Sequence, residues 1–530
     1  MTVQTPSAPG APSPSPTRAR PSAQPAPGSP SSPGVPVPGA PVLDGAPVLD
    51  GAPSPGAPTP PDDLPAPPGD GFQSFTGPAS VRYPAPDVAR GFMLLLIALA
   101  NAPFWMILLR TRAEVTGADA VWTGLRAAFV DHRSYPLFAM LFGFGLATMA
   151  RRRIEAGPHS TGAVAADADP AVAHASAADT ATARATTSTA ATGASADTAT
   201  ARATRSGASA ATDITDTAAA HRDAIAGARR LIRRRGLWML VFAAVHGALF
   251  MGDIIGAYAL IATVLAGPIA GRGRRTQAVV GGLSTAVCLG YMLYIGWFLS
   301  VGGVTVSTAG AAGGGVVGGI AEMLRGPLYP TVSLVLWAGG TMVTILTSLT
   351  LPAALLGVRL ADTDLLTRPD RHRRALLVGG AAALIVGAVG ALPRILPSLG
   401  IGVPARVTVV ASALDVATGM VGACGWLALL AAWAGPGTGA PLRGARWLLS
   451  AVGRRSMTVY VGQSLLFGLV FGLLARCGAS APHQTTAALI GVAVWAALAG
   501  ACARMERSGR TRGPLEILLR RAVAASARRR

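Results

Sequence analysis

About ten stretches of apolar residues recur along this chain, each close to the roughly 20 residues that a helix needs to cross the hydrocarbon of a bilayer. Their approximate limits are 90–109, 135–150, 236–251, 254–270, 277–300, 333–357, 375–393, 407–433, 456–475 and 485–503. Lipid offers no hydrogen bonds, so a spanning segment must satisfy its own backbone, as a helix or in a closed barrel. The stretches are continuous runs, without the ten-residue alternation of barrel strands, so the expected fold is an all-α polytopic membrane helix bundle of about ten transmembrane helices. Composition agrees: 51% of residues are hydrophobic and only 13% charged, with a mean hydropathy of +0.46.

The formal charge of +20 raises the alternative of a nucleic-acid binder. Its arginines, however, fall in short clusters between apolar runs and form no basic stripe with interleaved aromatics, so no nucleic-acid partner is expected. They read instead as topology signals. Clusters follow the second run (Arg151 to Arg153, Arg229 to Arg235), the fourth (Arg272, Arg274, Arg275), the sixth (Arg359 to Arg374), the eighth (Arg443, Arg446, Arg454, Arg455) and the tenth. The odd-numbered loops are poorer in arginine, the first, with Arg110, Arg112, Arg126 and Arg133, being an exception. By the positive-inside rule the loops after the even-numbered runs, and both termini, are cytoplasmic.

Two low-complexity segments interrupt the apolar pattern. Residues 1–80 are rich in Pro, Ala, Gly and Ser, contain the tandem APVLDGAPVLDGAP and lack the early apolar region of a secretory leader. Residues 156–222 are rich in Ala and Thr and repeat ADTATARAT, which reads as a flexible cytoplasmic insertion. The membrane domain therefore divides into 81–155 (spans one and two) and 223–505 (spans three to ten). Residues 506–530 form a basic tail, and GPLEILLRRAVAASARRR predicts an interfacial helix on an anionic leaflet. The four cysteines are scattered in apolar surroundings without metal or disulfide spacing, so no metal is expected. No P-loop, GxSxG elbow or HExxH motif occurs in a suitable context.

Polar groups inside spans are costly, which makes them the first place to look for function. Asp87 and Arg90 sit three residues apart at the mouth of the first span, where they can pair on one helix face. Asn101 follows eleven residues later, about 16 Å further along a helix. His246 and Asp253 flank a glycine-containing turn, and a carboxylate beside an imidazole is the composition of a general base. Tyr258 can reach the same region, while Gln463 and Ser464 place an amide and a hydroxyl in the ninth span. Asp415 is an isolated acid deep in the eighth run and needs a partner. His132, between Asp131 and Arg133, reads as part of a solvated outer loop, and Gly143 and Gly145 permit close helix packing.

Taken together, several stretches resemble the YeiB-like bacterial membrane protein family, the domain of unknown function 418. They are Asp87-Val-Ala-Arg90-Gly91 with Asn101, LFAMLFGFG at 137–145, His246-Gly with Gly252-Asp253-Ile254 and Tyr258, LLGVRL at 355–360, GRRSMTVYVGQS at 453–464 and GPLEILLRR at 513–521. The resemblance implies the membrane of a bacterial cell. It extends distantly to membrane acyltransferases of the acyltransferase-3 and heparan glucosaminide acetyltransferase types, which use an acyl-coenzyme A donor. The acyltransferase-3 pattern has Arg, ten residues, then His; here Arg90 is followed at that spacing by Asn101, which cannot act as a base.

The leading expectation is thus acyl transfer from a coenzyme A thioester, with no bound cofactor, to a small-molecule acceptor. His246 would be the base with Asp253, Asp87 and Arg90 would hold the donor, and Asn101, Tyr258, Gln463 and Ser464 would line the acceptor path. The alternatives are a small-molecule transporter built on the same residues and a membrane scaffold acting through its low-complexity arms.

Overall fold

The computed structural model describes residues 83–109, 114–155, 196–271, 273–301, 316–437 and 441–528. The expected flexible arm and the first part of the insertion lie outside the described residues. Every regular element among the described residues is helical. In chain order these are α1 (Pro84–Asn101), a 3₁₀ segment (Ala102–Leu108), α2 (Gly117–Phe129), α3 (Ser134–Glu155), α4 (Ala196–Leu249), α5 (Ile255–Val264), α6 (Ala266–Gly271) and α7 (Arg274–Val301). They continue with α8 (Val316–Arg325), α9 (Tyr329–Thr347), α10 (Thr350–Leu360), α11 (Arg373–Gly390), α12 (Leu392–Ile395), a second 3₁₀ segment (Leu396–Leu399), α13 (Ala405–Ala434), α14 (Gly444–Gly453), α15 (Ser456–Arg476), α16 (Gln484–Arg507) and α17 (Pro514–Arg528).

Helix α1 is the hub. Proline in its first turn fixes the φ angle without losing a helical hydrogen bond, and Asp87 in that turn complements the helix dipole. Val88, Ala89, Met93, Leu94, Ile97 and Ala98 are wholly enclosed by neighbouring helices. More than half of its apolar window is buried (56%), against 6% for Arg274–Phe298, so α7 lies at the rim. The rim exposes large apolar side chains, among them Val245, Leu283, Trp297, Phe298, Val335, Ile385, Leu469 and Leu489. Such a surface is stable against lipid and unfavourable in water.

Seven helices among the described residues are long and apolar enough to cross a membrane: Pro84–Leu108, Arg274–Phe298, Tyr329–Thr347, Arg373–Ile395, Val409–Ala434, Ser456–Arg476 and Gln484–Arg507. Three of the expected spans do not qualify. In α3 the polar first turn and the glycines dilute the apolar run, and in α4 Arg233 to Arg235 crowd the apolar end. The run at 254–270 is divided at Leu265 into α5 and α6, and Ile255–Val264 alone is too short to span. The run at 333–357 is likewise not one helix. It breaks at Leu349, which adopts a left-handed φ of 34°, beside Ser348, whose hydroxyl donates to the Thr344 carbonyl (2.5 Å) instead of sustaining the helix. Helix α4 begins at Ala196, inside the segment the composition assigns to the insertion, because alanine favours helix whatever the polarity of its neighbours.

Close helix contacts rest on glycine. A Cβ on Gly143 of α3 would collide with the Ala354 carbonyl of α10, and one on Gly357 of α10 with the Met140 carbonyl of α3. The two backbones therefore touch reciprocally, as small residues allow in membrane bundles. Gly145 has a different task, since its missing Cβ leaves room for the Arg90 guanidinium, 3.2 Å from where that atom would be.

The run GRRSMTVY at 453–460 carries an arginine that is more than a topology signal. Arg455 is fully buried, donating to the Ala451 carbonyl (2.7 Å) and to Glu506 Oε2 (2.9 Å), while Arg454 meets Glu506 Oε1 at 2.5 Å. Glu516 of α17 accepts from the Met457 and Thr458 backbone amides (2.8 and 3.1 Å), capping α15. Trp238 of α4 donates to Ser526 of α17 at 3.2 Å. These contacts dock the basic C-terminal helix on the bundle.

Candidate functional site

His246 lies in the last turn of α4, and Asp253 lies in the turn that joins α4 to α5. Their side chains meet, His246 Nδ1 to Asp253 Oδ1 at 2.7 Å, and both are buried. The second carboxylate oxygen is also held: Oδ2 accepts the Gly256 N–H from the first turn of α5 (2.9 Å) and the Trp337 indole N–H from α9 (3.0 Å). A carboxylate at a helix N-terminus is favoured by the dipole and by the otherwise orphaned amides there. With Asp253 accepting, the Nδ1 of a neutral His246 carries the proton and Nε2 presents a lone pair. That nitrogen is buried and has no hydrogen-bond partner among the described residues.

Tyr460 of α15 completes the enclosure. Its ring stands edge-on to the imidazole (centroids 5.1 Å apart), and its hydroxyl accepts the Ile254 N–H at 3.2 Å. Gln463, one turn further along α15, donates from Nε2 to the Leu94 carbonyl of α1 (2.9 Å), and Ser464 beside it is buried. The Tyr258 hydroxyl donates to the Tyr135 carbonyl (3.0 Å), with its ring against Phe138 and Phe142. Asn101 is buried at the end of α1, and its Oδ1 has no partner among the described residues.

Asp87 and Arg90 occupy the other end of α1, about 16 Å away along the axis. They pair at 3.3 Å, and Arg90 Nη2 also donates to the Leu141 carbonyl at 3.2 Å. Arg235 of α4 lies within electrostatic range of Arg90 and of Arg520 and Glu516 of α17. Since Arg235 precedes His246 by eleven residues on one continuous helix, as Arg90 precedes Asn101, both helices carry an arginine about 16 Å from the polar level.

His132 lies in a turn with its side chain about one-third exposed, as a loop residue would be, but the turn around it is anchored in the bundle. Arg133 is wholly buried, and its guanidinium donates to Asp415 Oδ1 at 2.8 Å and to the Gly387 carbonyl. Asp415, the isolated acid, also meets Arg394 Nε (2.8 Å) and His132 Nε2 (3.7 Å). The network draws the turn inward until His132 packs on Gly419, and His132 holds a left-handed φ of 56°. Phe104, Arg126, Asp131, His132, Ser134 and Tyr135 line a cavity of about 420 Å³ at this end. Ring contacts run from its wall to the imidazole: Phe104 stands edge-on to Phe250 (6.3 Å), and Phe250 lies 6.0 Å from His246.

The residues missed from sequence are therefore Trp337, Tyr460, Arg133 and Arg394. Each comes from a run or turn where its type is unremarkable, and only the fold brings it to its partner. Among the described residues no group of three or more His, Cys, Asp or Glu could hold a metal ion.

Residues 360–526, about a third of the chain, match the family model described as "Protein of unknown function (DUF418)". The match begins at Leu360, the last residue of α10, and ends at residue 526 within α17, so it includes the Arg454–Arg455 pair and the buried Asp415. No curated protein matches the chain, and no solved structure does either. With its apolar helices, the chain is a membrane protein of unknown function.

Proposed function

We propose that this membrane protein is a group-transfer enzyme, moving an acyl group from a coenzyme A thioester to a small hydroxyl- or amine-bearing acceptor. The observation that supports it is the buried dyad: Asp253 has both oxygens occupied and fixes the imidazole, leaving Nε2 of His246 open. A base so held takes the acceptor's proton as its oxygen or nitrogen attacks the thioester carbonyl. The carbon–sulfur bond then breaks, and the departing thiolate regains the proton from the imidazolium, which Asp253 stabilises meanwhile.

Arg90, oriented by Asp87, would hold the donor's phosphates together with Arg235 and Arg520, since guanidinium groups bind phosphate bidentately. The long pantetheine arm suits the separation of about 16 Å between the arginines and His246. The cavity at Phe104 and Tyr135 would admit the acceptor through the Phe104–Phe250–His246 ring contacts. Gln463 and Tyr258 are engaged with backbone carbonyls and would position this path, while Asn101 and Ser464 would face the acceptor. Thermal stability of the purified protein should rise saturably with acetyl-coenzyme A, and Arg90→Ala should abolish that rise while His246→Ala keeps it. A folded native protein indifferent to every acyl-coenzyme A would sink the donor assignment.

The helix breaks favour a second reading. The α4–α5 turn at Asp253 and the α9–α10 turn at Leu349 leave helix ends inside an apolar bundle, as in the discontinuous helices of transporters. Under that reading the dyad would bind and release a proton with cargo. Substrate flux into proteoliposomes lacking any acyl donor distinguishes the two.

A further inference from the structure

A second cavity, of about 230 Å³, opens at the arginine-rich end of the bundle, between α3, α6, α7 and α10. Arg151, Arg274, Arg359 and Asp362 are in its lining, with Gly273 and Gln277 at the start of α7. We infer that it is a binding site for a phosphate group. The site lies apart from the dyad and does not depend on the acyl-transfer reading.

The charges do not balance. Three guanidinium groups face one carboxylate, which gives a local excess of two positive charges. Arg151 meets Asp362 Oδ1, and Arg359 Nη1 shares the same carboxylate through Oδ2 at 3.3 Å. Arg274 has no carboxylate partner among the described residues. The Nη2 of Arg359 is buried without a hydrogen-bond acceptor among them. A buried cationic donor left unmatched is unfavourable, and an anion in the cavity would satisfy it.

The backbone contributes the same sign. Helix α7 starts at the cavity, so its first amides and the positive end of its dipole join the guanidinium groups there. Size narrows the ligand. The cavity is smaller than the roughly 300–1,000 Å³ of pockets that enclose whole small molecules, so it suits one phosphate group and its waters rather than a nucleotide. Two sources present that group: the headgroup of an anionic lipid, and free inorganic phosphate. In either case a bound phosphate would tie α3, α7 and α10 together.

The test uses the full-length protein. In detergent, thermal stability is followed against sodium phosphate, with sodium chloride at matched ionic strength. In nanodiscs, discs of phosphatidylcholine alone are compared with discs containing phosphatidylglycerol. Arg274→Gln removes an exposed guanidinium and should fold normally, Arg359→Gln removes the unmatched donor, and Arg275→Gln, outside the lining, serves as the charge control. The expected result is a rise in Tm of about 3 °C at saturation in the native and Arg275→Gln proteins, absent in Arg274→Gln and Arg359→Gln. A rise with soluble phosphate identifies the free ion, and a rise confined to phosphatidylglycerol identifies the headgroup. If neither arm stabilises the native protein, or if the rise persists in both lining variants, the site is refuted.

Discussion

The Asp253 carboxylate receives three donors, from His246, Gly256 and Trp337, so each partner can be removed separately. Trp337→Phe keeps the ring packing and deletes one bond to a charged group. A loss of about 1.5–3 kcal/mol is expected in denaturation of the detergent-solubilised protein. Arg133→Ala should be worse, about 3–5 kcal/mol, because it leaves the buried Asp415 short of its main hydrogen-bonded partner. Arg394→Ala, the more exposed contact, should cost less. Asp119 gives a pH test. It is buried between α2 and α16, where desolvation raises its pKa, but the backbone amides and hydroxyls of Thr485 and Thr116, donating to its carboxylate, outweigh that and hold it well below the usual carboxylate range. A depressed folded value means that the stabilisation is complete above the unfolded pKa of about 3.9 and is lost as the pH falls through the folded value. Asp119→Asn should therefore lower Tm at pH 7, and its deficit should narrow as the pH drops below about 4.

At the scale of elements, the reciprocal contact of α3 and α10 makes the sharpest prediction. Gly143→Ala or Gly357→Ala pushes a methyl group into the facing carbonyl, and the helices must separate. A loss of about 1–3 kcal/mol is expected, with lowered yield of monodisperse protein on size exclusion. Gly339→Ala, with open space at its Cβ, should be neutral by the same assay. The long apolar helices were readable as apolar runs because length and hydropathy are local properties. The breaks were not. At Leu349 a leucine adopts a left-handed conformation that no local rule favours, and the run through 333–357 stays apolar across it. His246 and Asp253 were readable as a pair because both lie on one short stretch around a turn. Pairs distant in sequence were hidden: Trp337 stands 84 positions from Asp253, and Arg133 stands 282 from Asp415. Arg133 in particular sits in a polar stretch whose composition resembles a surface loop, and only its burial against α13 reveals otherwise.

At the scale of the whole molecule, the bundle is built around α1, with arginines at one end, an enclosed His–Asp dyad beyond them and an open cavity beside Phe104 and Tyr135. Chemistry on this plan needs a donor and an acceptor to meet at His246 Nε2. The most direct measurement is release of free thiol from acetyl-coenzyme A by the purified protein in lipid nanodiscs, with His246→Gln and Asp253→Asn compared at matched Tm. Slow release by the native protein is expected, water standing in for the acceptor. His246→Gln should reduce it by about 10²-fold or more, and Asp253→Asn by a smaller factor. Equal release by native protein and a folded His246→Gln variant would contradict the general-base assignment.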